Sequence, residues 1–346
     1  MAVVKSNAYG HGIVECSKAA VGSGADWLGV VNIGEAITLR KNNIECPILV
    51  MGFVAFENLK LAADNYISIP VIDLEYAKNL AKIDLNKPLN VHLKIETGLN
   101  RLGMSLQEAV KALKILRSNH KINIEGIYSH LAAAEEDYKD FTNKQITKLQ
   151  EAIATLEKEG INFKYRHIAA SAASLVFPEE SFSLVRFGIA IYGLWASPET
   201  RKAMEKTIKL EPVLSYRTKI VQIKKVEEGE KIGYGCTFSA EKNMTIAILP
   251  VGYYEGIDRR FSSSELGGDV LISGKRCPFV GRICMNMAMV DITTISDGVK
   301  AGDEVALIGK QGSEEITADD WAKKLGTINY EIVSRIPSEI PRIYKR

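Results

Sequence analysis

The sequence predicts an α/β fold in which a (β/α)8 TIM-type barrel is followed by a mostly-β domain. Over the first part of the chain, short apolar runs alternate with amphipathic helical segments, a pattern typical of parallel strands joined by helices. Eight such runs occur, and eight parallel strands are the number that closes a barrel. From about residue 207 the alternation stops, and strands separated by turn signals replace it.

The predicted barrel strands are short, apolar runs, and they occupy residues 2–5, 27–31, 47–51, 67–73, 90–96, 124–130, 165–170 and 183–188. Amphipathic helices are clearest over 105–119 and 143–160, where apolar residues recur at three- and four-residue spacing and a glycine ends the second segment. We therefore expect a barrel domain over residues 1–206. No long amphipathic helix follows the eighth run, so a helix before Lys5 would be needed to complete the outer layer.

The second predicted domain spans residues 207–346 and reads as strands separated by turns. Examples are VLSYRTKIVQIKKV, MTIAILPVGYY and DVLISGKRCPFVGRICMNMAMVDITT. Only one helix is clear, ITADDWAKKLG over 316–326, for which Thr317 is the expected N-cap.

Composition narrows the class of protein. The chain has 346 residues and a formal net charge of +2, which gives no strong field for nucleic acid or an anionic membrane. No apolar run reaches the roughly 18 residues of a membrane span, and the opening MAVVKSNAYGHG has no long apolar signal segment. The five cysteines form no CxxC pair, which predicts free thiols in the cytoplasm rather than disulfides or a metal site.

Charged and imidazole side chains occur at the ends of the predicted strands, where barrel enzymes carry their reactive groups. They are Lys5, Lys94, His130, His167 and Arg186. Lys5 ends an apolar strand, where an ammonium group is costly to desolvate. A lysine whose pKa is lowered in this way is a nucleophile toward aldehydes.

These residues lie in segments that resemble the alanine racemases, the fold-type III family of pyridoxal-phosphate (PLP) enzymes. The first is AVVKSNAYGHG (2–12). The others follow in the family's order and cover essentially the whole chain: HLKIETGLNRLG (92–103), GIYSH (126–130), HIAAS (167–171), VRFGIAIYG (185–193), IGYGCTF (232–238), PVGYYEG (250–256), GRICMN (281–286) and INYE (328–331).

The resemblance implies PLP as the cofactor, held covalently by Lys5. Arg186 would face the pyridine nitrogen, and His167 belongs to the same cofactor site. The phosphate would be bound by the residues Tyr9, Ser171, Gly188, Ile189 and Tyr330. A phosphate site after the last strands of a barrel is also usual for the fold.

The resemblance also implies a two-base racemisation of alanine, which supplies D-alanine for peptidoglycan. Lys5 would serve the D-face of the substrate, and Tyr234 of a partner subunit the L-face, in a head-to-tail homodimer. A chain of hydrogen bonds from Tyr234 through His130 to Arg186 would assist the phenol, whose ordinary pKa is near 10.

Three further residues would act on the substrate. Arg101 and the Met285 backbone amide would hold its carboxylate, and Tyr253 would line the entrance. Lys94 matches the position that is carbamylated in the family and orients this arginine.

The sequence departs from the family pattern at Ala170, where asparagine is usual, at Asn286, where aspartate is usual, and at Glu339, where arginine is usual. These changes bear on substrate affinity and selectivity. The family also carries a leader of a few dozen residues before the lysine strand, and Met1 corresponds to an internal methionine. We therefore expect a version with the leader restored to be more stable and more dimeric.

Four functions remain open at this point: an alanine racemase, a racemase of the same family acting on serine or a broader set of amino acids, a decarboxylase of the same architecture, and a non-catalytic PLP-binding protein or truncated inactive relic. Tyr330 favours a small apolar substrate side chain. Arg186 argues against a decarboxylase, because those enzymes place an acidic group at the pyridine nitrogen. The second domain argues against a non-catalytic PLP-binding protein, because the regulatory proteins of that kind are single barrels. A racemase assay separates a relic from an enzyme.

Overall fold

The computed structural model describes residues 1–136, 139–180, 182–262 and 265–345. The chain divides into two compact units, Met1–Glu211 and Pro212–Arg346. The first unit contains all eight predicted barrel runs, and the second contains the segments in which strands and turns alternate.

Seven strands of the first unit pair in parallel and in chain order. They are β1 (Ala2–Val3), β2 (Leu28–Val30), β3 (Ile48–Val50), β4 (Ile67–Val71), β5 (Leu89–Lys94), β6 (Ile122–Tyr128) and β7 (Tyr165–His167). The eighth run closes the ring through one parallel bridge from Phe187 to Ala2 and an Arg186 N–H that donates to the Ala169 carbonyl (3.1 Å). The predicted barrel is confirmed, and its eighth strand is short because the chain leaves the extended conformation at Gly188.

Helical segments follow the strands of the first unit, as predicted, and the first of these segments is a single left-handed turn rather than an α-helix. They are α1 (Lys5–Tyr9), α2 (Ile13–Gly22), α3 (Ile33–Lys41), α4 (Leu59–Asp64), α5 (Leu74–Lys82), α6 (Leu106–Leu116), α7 (Lys139–Lys158), α8 (Ser171–Val176) and α9 (Pro198–Met204). Helix α6 starts where the periodicity predicts, because Ser105 and Glu108 form a reciprocal capping box.

The core of the first unit consists of the strands packed against these helices. Strand side chains such as Leu28, Ile48, Ile69 and Val91 have no exposed surface. Each of them stabilises the fold by about 1.5–3 kcal/mol relative to an exposed position. The barrel is therefore a rigid support for the polar side chains at its strand ends.

The second unit is mostly β, as predicted. Its strands are β8 (Tyr216–Lys219), β9 (Gln222–Val226), β10 (Lys231–Ile232), β11 (Phe238–Ser239), β12 (Met244–Leu249), β13 (Asp269–Ile272), β14 (Lys275–Pro278), β15 (Ala288–Asp291), β16 (Glu304–Gln311) and β17 (Glu314–Ile316). One sheet has the order β15-β12-β9. A second joins β14-β13-β16-β17, with β8 paired to β16, and β10 and β11 form a hairpin.

The helical content of the second unit exceeds the prediction. Helix α10 (Ala318–Leu325) is the expected one, and Thr317 caps it in a capping box with Asp320. A second helix, α11 (Asn329–Ser334), follows, so the expectation of a single clear helix was wrong. Six residues without a capping side chain are too few to show a helical period in the sequence. No helix in the described part of the chain is long and apolar enough to cross a membrane.

Candidate active site

Lys5 follows β1 and opens a turn with unusual backbone geometry. The φ angles of Ser6 to Tyr9 are +53° to +55°, although none of these four residues is glycine. A left-handed conformation costs about 1–2 kcal/mol per residue, so surrounding contacts must hold the turn. Asn7 supplies two of them: its Oδ1 accepts the Ile13 N–H (2.9 Å), and its own N–H donates to Glu35 (3.3 Å). Such strain is concentrated at functional sites.

The Lys5 ammonium lies in a partly buried, positively charged environment. Burial lowers the pKa of Lys5, the charge of Arg101 lowers it further, and Glu35 opposes both effects. This direction is the one that a lysine nucleophile or base requires, because only the neutral amine carries a free electron pair.

The Arg186 guanidinium joins the two strand-end histidines. It is 3% exposed, and its Nη1 donates to His167 Nδ1 (2.6 Å). Its Nη2 donates to His130 Nδ1 (3.1 Å) and to the carbonyls of Ser129 (2.9 Å) and Ile168 (2.8 Å). Burial and nearby positive charge, Arg186 first, lower the pKa of both histidines well below the usual value, so both imidazoles are neutral.

Four cationic side chains share this end of the barrel. Burial, with the guanidinium groups of Arg101 and Arg186, lowers the pKa of Lys94 to about 8, and Lys5 contributes in the same direction. Among the described residues, none of the four forms an ion pair with a carboxylate. Glu96 instead shapes the loop after β5 by accepting backbone N–H groups of Gly98 and Arg101. A partly buried cluster of positive charges of this kind favours an anionic ligand such as a phosphate or a carboxylate.

The predicted phosphate-binding residues of the first unit converge on one point. The Gly188 N–H donates to Ser171 Oγ (2.9 Å), and Ile189 follows directly in the chain. A Cβ added at Gly188 would lie 2.7 Å from Tyr9 Oη, so only glycine leaves this space open. Burial raises the pKa of Tyr9 to about 12, which keeps its hydroxyl protonated and able to donate. Backbone N–H and hydroxyl donors around an open space fit the phosphate of PLP.

The substitution Gly188→Ala tests this phosphate cradle. The methyl group of an alanine at this position would displace the Tyr9 hydroxyl. Losing one hydrogen bond to a charged group costs about 1.5–3 kcal/mol, so we expect the Kd for PLP to rise by about tenfold or more. The measurement is equilibrium titration of the apoprotein with PLP.

Gly22→Ala is the matched control, because a Cβ at Gly22 meets no atom within 4 Å. This variant should bind PLP like the unmodified protein. Equal PLP affinity of the Gly188→Ala variant and the control would contradict the assignment of the cradle.

Three predicted residues of the second unit lie on adjacent loops. The Tyr253 N–H donates to the Cys284 carbonyl (3.1 Å), which places Tyr253 beside Met285. Tyr234 lies between Gly233 and Gly235, and a Cβ at Gly235 would meet the Arg282 guanidinium at 2.8 Å. Tyr234 is 70% exposed, as expected of a side chain that reaches another molecule. The Met285 N–H makes no hydrogen bond to the described part of the chain.

Two other predicted positions also lie in the second unit. Tyr330 is half-buried in α11, and its contact with the cofactor phosphate stays a prediction. Asn286, one of the departures from the family pattern, donates its Nδ2 hydrogen to Glu255 Oε1 (2.7 Å). An aspartate at this position would face the same carboxylate with like charge, so asparagine is compatible with Glu255.

Sequence reasoning missed two polar residues in the barrel interior. His92 Nδ1 lies 3.0 Å from His167 Nε2, and His92 Nε2 lies 3.3 Å from Glu125. The signal was present, because the polar residues Asn90, His92 and Lys94 recur at two-residue spacing and so share one face of the strand, while the other face is apolar. No described group of three or more histidine, cysteine or acidic side chains has the arrangement of a metal site.

Known protein families match each of the two units of the chain separately. Family models of the N-terminal and C-terminal domains of alanine racemase match residues 1–196 and 213–344. A curated alanine racemase from Methanococcus maripaludis is 42% identical over 347 residues, which cover 99% of this chain and 91% of that protein.

Solved structures give the same result. The alanine racemase from Bacillus anthracis, solved with bound L-Ala-P, has a TM-score of 0.94 and 37% identity, covering 100% of this chain and 88% of that one. A histidine racemase from Leuconostoc mesenteroides has a TM-score of 0.88 and 28% identity, covering 99% of this chain and 90% of that one. This chain therefore belongs to the alanine racemase family, whose members are PLP-dependent isomerases.

Proposed function

We propose that this protein is a PLP-dependent alanine racemase that interconverts L- and D-alanine by a two-base mechanism and so supplies D-alanine for peptidoglycan. The observation that carries this proposal is a cluster of positive charges at one end of the barrel. Burial and the charges of Arg186, Arg101, Lys94 and Lys5 together lower the pKa of His130, which is therefore neutral. Such a site fits a ligand that carries a phosphate and a substrate that carries a carboxylate.

A racemase assay on purified protein with added PLP tests the proposal. We expect D-alanine to form from L-alanine at a rate that depends on PLP. Protein that binds PLP but leaves L-alanine unchanged would contradict the proposed activity.

The residues present fit PLP. Lys5 would bind its aldehyde carbon covalently, Arg186 would contact its pyridine nitrogen, and its phosphate would be held by Tyr9, Ser171, Gly188, Ile189 and Tyr330. At least two of the five N–H donors of Arg186 make no hydrogen bond to the described residues, which leaves donors for a ring nitrogen. When bound, the cofactor supplies an electron sink that acidifies the Cα–H of the substrate.

The protein supplies one base for each face of the substrate. The Lys5 amine removes or returns the Cα proton on the D-face, for which its lowered pKa is suited. Tyr234 of a partner subunit does so on the L-face. Two fixed bases allow inversion without turning the substrate over in the site.

His130 assists the Tyr234 phenol. Arginine can only donate, so the His130 Nδ1 that accepts from Arg186 carries no proton, and the single proton of the neutral ring is on Nε2. That N–H is available to stabilise a phenolate oxygen, which lowers the pKa of the phenol toward neutrality.

Arg186 controls the outcome of the reaction. Burial lowers the pKa of its guanidinium to about 10, which still leaves it charged at neutral pH. With PLP bound, this cation would lie beside the pyridine nitrogen and would keep it unprotonated. The cofactor would then be a weaker electron sink, which would disfavour transamination and decarboxylation.

The substrate carboxylate would be held by the Arg101 guanidinium and the free Met285 N–H, and Tyr253 would line the entrance. Met285 and Tyr253 are both exposed on the surface of the second unit, which supports a role at the opening of a site.

Lys94 is the proposed site of carbamylation. With its pKa lowered to about 8, a substantial fraction of Lys94 is neutral near pH 8. The neutral amine attacks CO₂, forms an N–C bond and loses one proton, which converts a cation into an anion beside Arg101.

We expect protein equilibrated with ¹³C-bicarbonate to show a carbamate signal by ¹³C NMR that is absent from the Lys94→Met variant. Lys18→Met, at an exposed lysine paired with Glu15, is the control and should retain the signal. A carbamate signal of equal intensity in the Lys94→Met variant would contradict the proposal.

The active form would be a cytoplasmic head-to-tail homodimer with two composite sites, each made from one barrel and the second unit of the partner subunit. The family membership and the exposed Tyr234, Tyr253 and Met285 support this arrangement.

A related racemase with another or broader substrate range is the second candidate. The similarity of this chain to a histidine racemase supports this second candidate. Comparing kcat/KM for alanine, serine and histidine decides between them. We expect alanine to be preferred and serine to be turned over more slowly, since a pocket rejects one added hydroxyl only weakly.

A further inference from the structure

The buried charge of Arg186 has no carboxylate partner of its own. Its hydrogen-bond partners among the described residues are two neutral imidazoles and two backbone carbonyls, and its Cζ lies 5.6 Å from the centre of the Tyr128 ring. A buried ion without a countercharge is costly, and proteins compensate for it through pairing or hydrogen bonds. The arrangement raises the question of which group balances and orients this guanidinium.

A chain of hydrogen bonds leads from Arg186 to Glu125. Arg186 Nη1 lies 2.6 Å from His167 Nδ1, and His167 Nε2 lies 3.0 Å from His92 Nδ1. His92 Nε2 lies 3.3 Å from Glu125 Oε1, which also accepts the Ser68 hydroxyl (2.6 Å). We refer to Arg186, His167, His92 and Glu125 as the relay.

The direction of donation is fixed at both ends of the relay. Arg186 can only donate, so His167 accepts at Nδ1 and carries its single proton on Nε2. His167 then donates to His92 Nδ1, which leaves the proton of His92 on Nε2. That proton is donated to Glu125, which as a carboxylate can only accept. One arrangement of protons therefore satisfies all four groups.

The barrel interior is built around these two imidazoles. Both rings have no exposed surface. A Cβ at Gly126 would lie 2.3 Å from His92 Nδ1, so the glycine makes room for the ring. The Tyr128 ring stacks on His167, with centroids 4.7 Å apart and planes 8° apart, which prevents rotation of the imidazole.

We propose that Glu125, acting through His92 and His167, is a positioning residue for Arg186. It gives the His92 N–H a buried acceptor and so reinforces the proton order in which His167 accepts from the guanidinium, and it places a negative charge at the far end of the relay. The proposal rests on the proposed function, because the purpose of a fixed Arg186 is to present its free N–H donors to the cofactor ring.

The reversed arrangement shows what Glu125 prevents. Without an acceptor at its Nε2, His92 would either bury an unpaired N–H or carry its proton on Nδ1 and donate to His167 Nε2. In the second case the proton of His167 would be on Nδ1, facing the N–H donors of Arg186. Two donors would be in contact, so the guanidinium would move away.

Ring-labelled ¹⁵N-histidine in the full-length, PLP-loaded protein gives the direct test. The chain has five histidines, so long-range ¹H–¹⁵N correlation spectra contain few signals, and single histidine variants assign them. We expect His167 and His92 each to carry a proton on Nε2 and none on Nδ1. A His167 ring protonated on Nδ1, or on both nitrogens, would overturn the proposal without any activity measurement.

Variants at residue 125 test the effect on the reaction. Glu125→Leu removes the acceptor, so neither order of the protons satisfies all the groups. We expect Nδ1 tautomers of His92 and His167 to appear beside the Nε2 tautomers and kcat to fall by about 10- to 100-fold, the usual effect of removing such an outer partner. Glu125→Gln retains an acceptor oxygen and should restore both the tautomer and most of kcat. An unchanged spectrum and unchanged kcat in Glu125→Leu would overturn the proposal.

Ser68→Ala is the matched control, because it removes a hydrogen bond to Glu125 but leaves the relay intact. It should retain the spectrum and kcat of the unmodified protein. If Glu125→Leu fails to fold, the tautomers in the unmodified protein and in the Glu125→Gln variant still test the proposal. If the tautomers are as expected but no alanine is racemised, the proposed function fails and the proton order stands.

Discussion

Lys5→Ala is expected to abolish alanine racemisation. The substitution removes both the covalent link to the cofactor and the base on one face of the substrate. A single acid/base group contributes about 10²- to 10⁴-fold, so we expect a loss of about 10⁴-fold or more in kcat/KM. The measurement is D-alanine formation from L-alanine with excess PLP, together with the visible absorbance of lysine-bound PLP.

The fold should tolerate this change. Lys5 forms no ion pair with a described residue, and burial already disfavours its charge, so the Tm should not fall. Lys18→Ala, at an exposed lysine, is the control and should keep full activity. More than about one tenth of the original kcat/KM in folded Lys5→Ala would contradict the role of Lys5, since loss of a catalytic group exceeds tenfold.

Tyr234→Phe is expected to produce a loss that depends on the substrate enantiomer. The variant lacks the base for the L-face but keeps Lys5 for the D-face. Exchange of the Cα proton of L-alanine with D₂O should therefore slow by about 10²- to 10⁴-fold. Exchange from D-alanine should continue at a much higher rate. Proton NMR of each enantiomer in D₂O measures both rates.

Tyr254→Phe is the matched control, because Tyr254 is also an exposed tyrosine of the second unit and has no proposed role. It should leave both exchange rates unchanged. Equal slowing for the two enantiomers in Tyr234→Phe would assign Tyr234 to binding rather than to one face.

The strands and long helices of this fold could be predicted because their signals are local. Each barrel strand is an apolar run, and α6 and α7 repeat apolar residues at helical spacing. Thr317 was predictable as a cap from its position before an amphipathic segment. Helix α11 was not, because six residues are held by tertiary packing rather than by a periodic pattern.

The left-handed turn after Lys5 could not be predicted either. Ser6, Asn7 and Ala8 have no intrinsic preference strong enough to fix four consecutive residues with positive φ. The turn depends on Glu35, which is 28 residues away from Asn7 in the chain. Contacts of this kind are not visible in a sequence.

The identity of the reactive residues at the strand ends could be predicted, but their hydrogen-bond partners could not. The sequence placed Lys5, Lys94, His130, His167 and Arg186 at the same end of the barrel because parallel strands share that end. It could not show that His167 contacts His92, 75 positions away, or that Glu125 completes the relay. Those contacts depend on side chains that point into the barrel.

Complementation between two inactive variants tests the central claim most directly. Lys5→Ala and Tyr234→Phe subunits are each expected to be inactive in converting L-alanine. In a mixed head-to-tail dimer, one site combines an intact Lys5 with an intact Tyr234. Random association makes half of the dimers mixed, so about a quarter of the original sites should be restored.

Subunits are unfolded and refolded together to allow exchange, with each variant refolded alone as the control. Recovery of about a quarter of the original activity on mixing is the predicted result. No recovery, although mass spectrometry shows that mixed dimers have formed, would contradict a site built from the lysine of one subunit and the tyrosine of another.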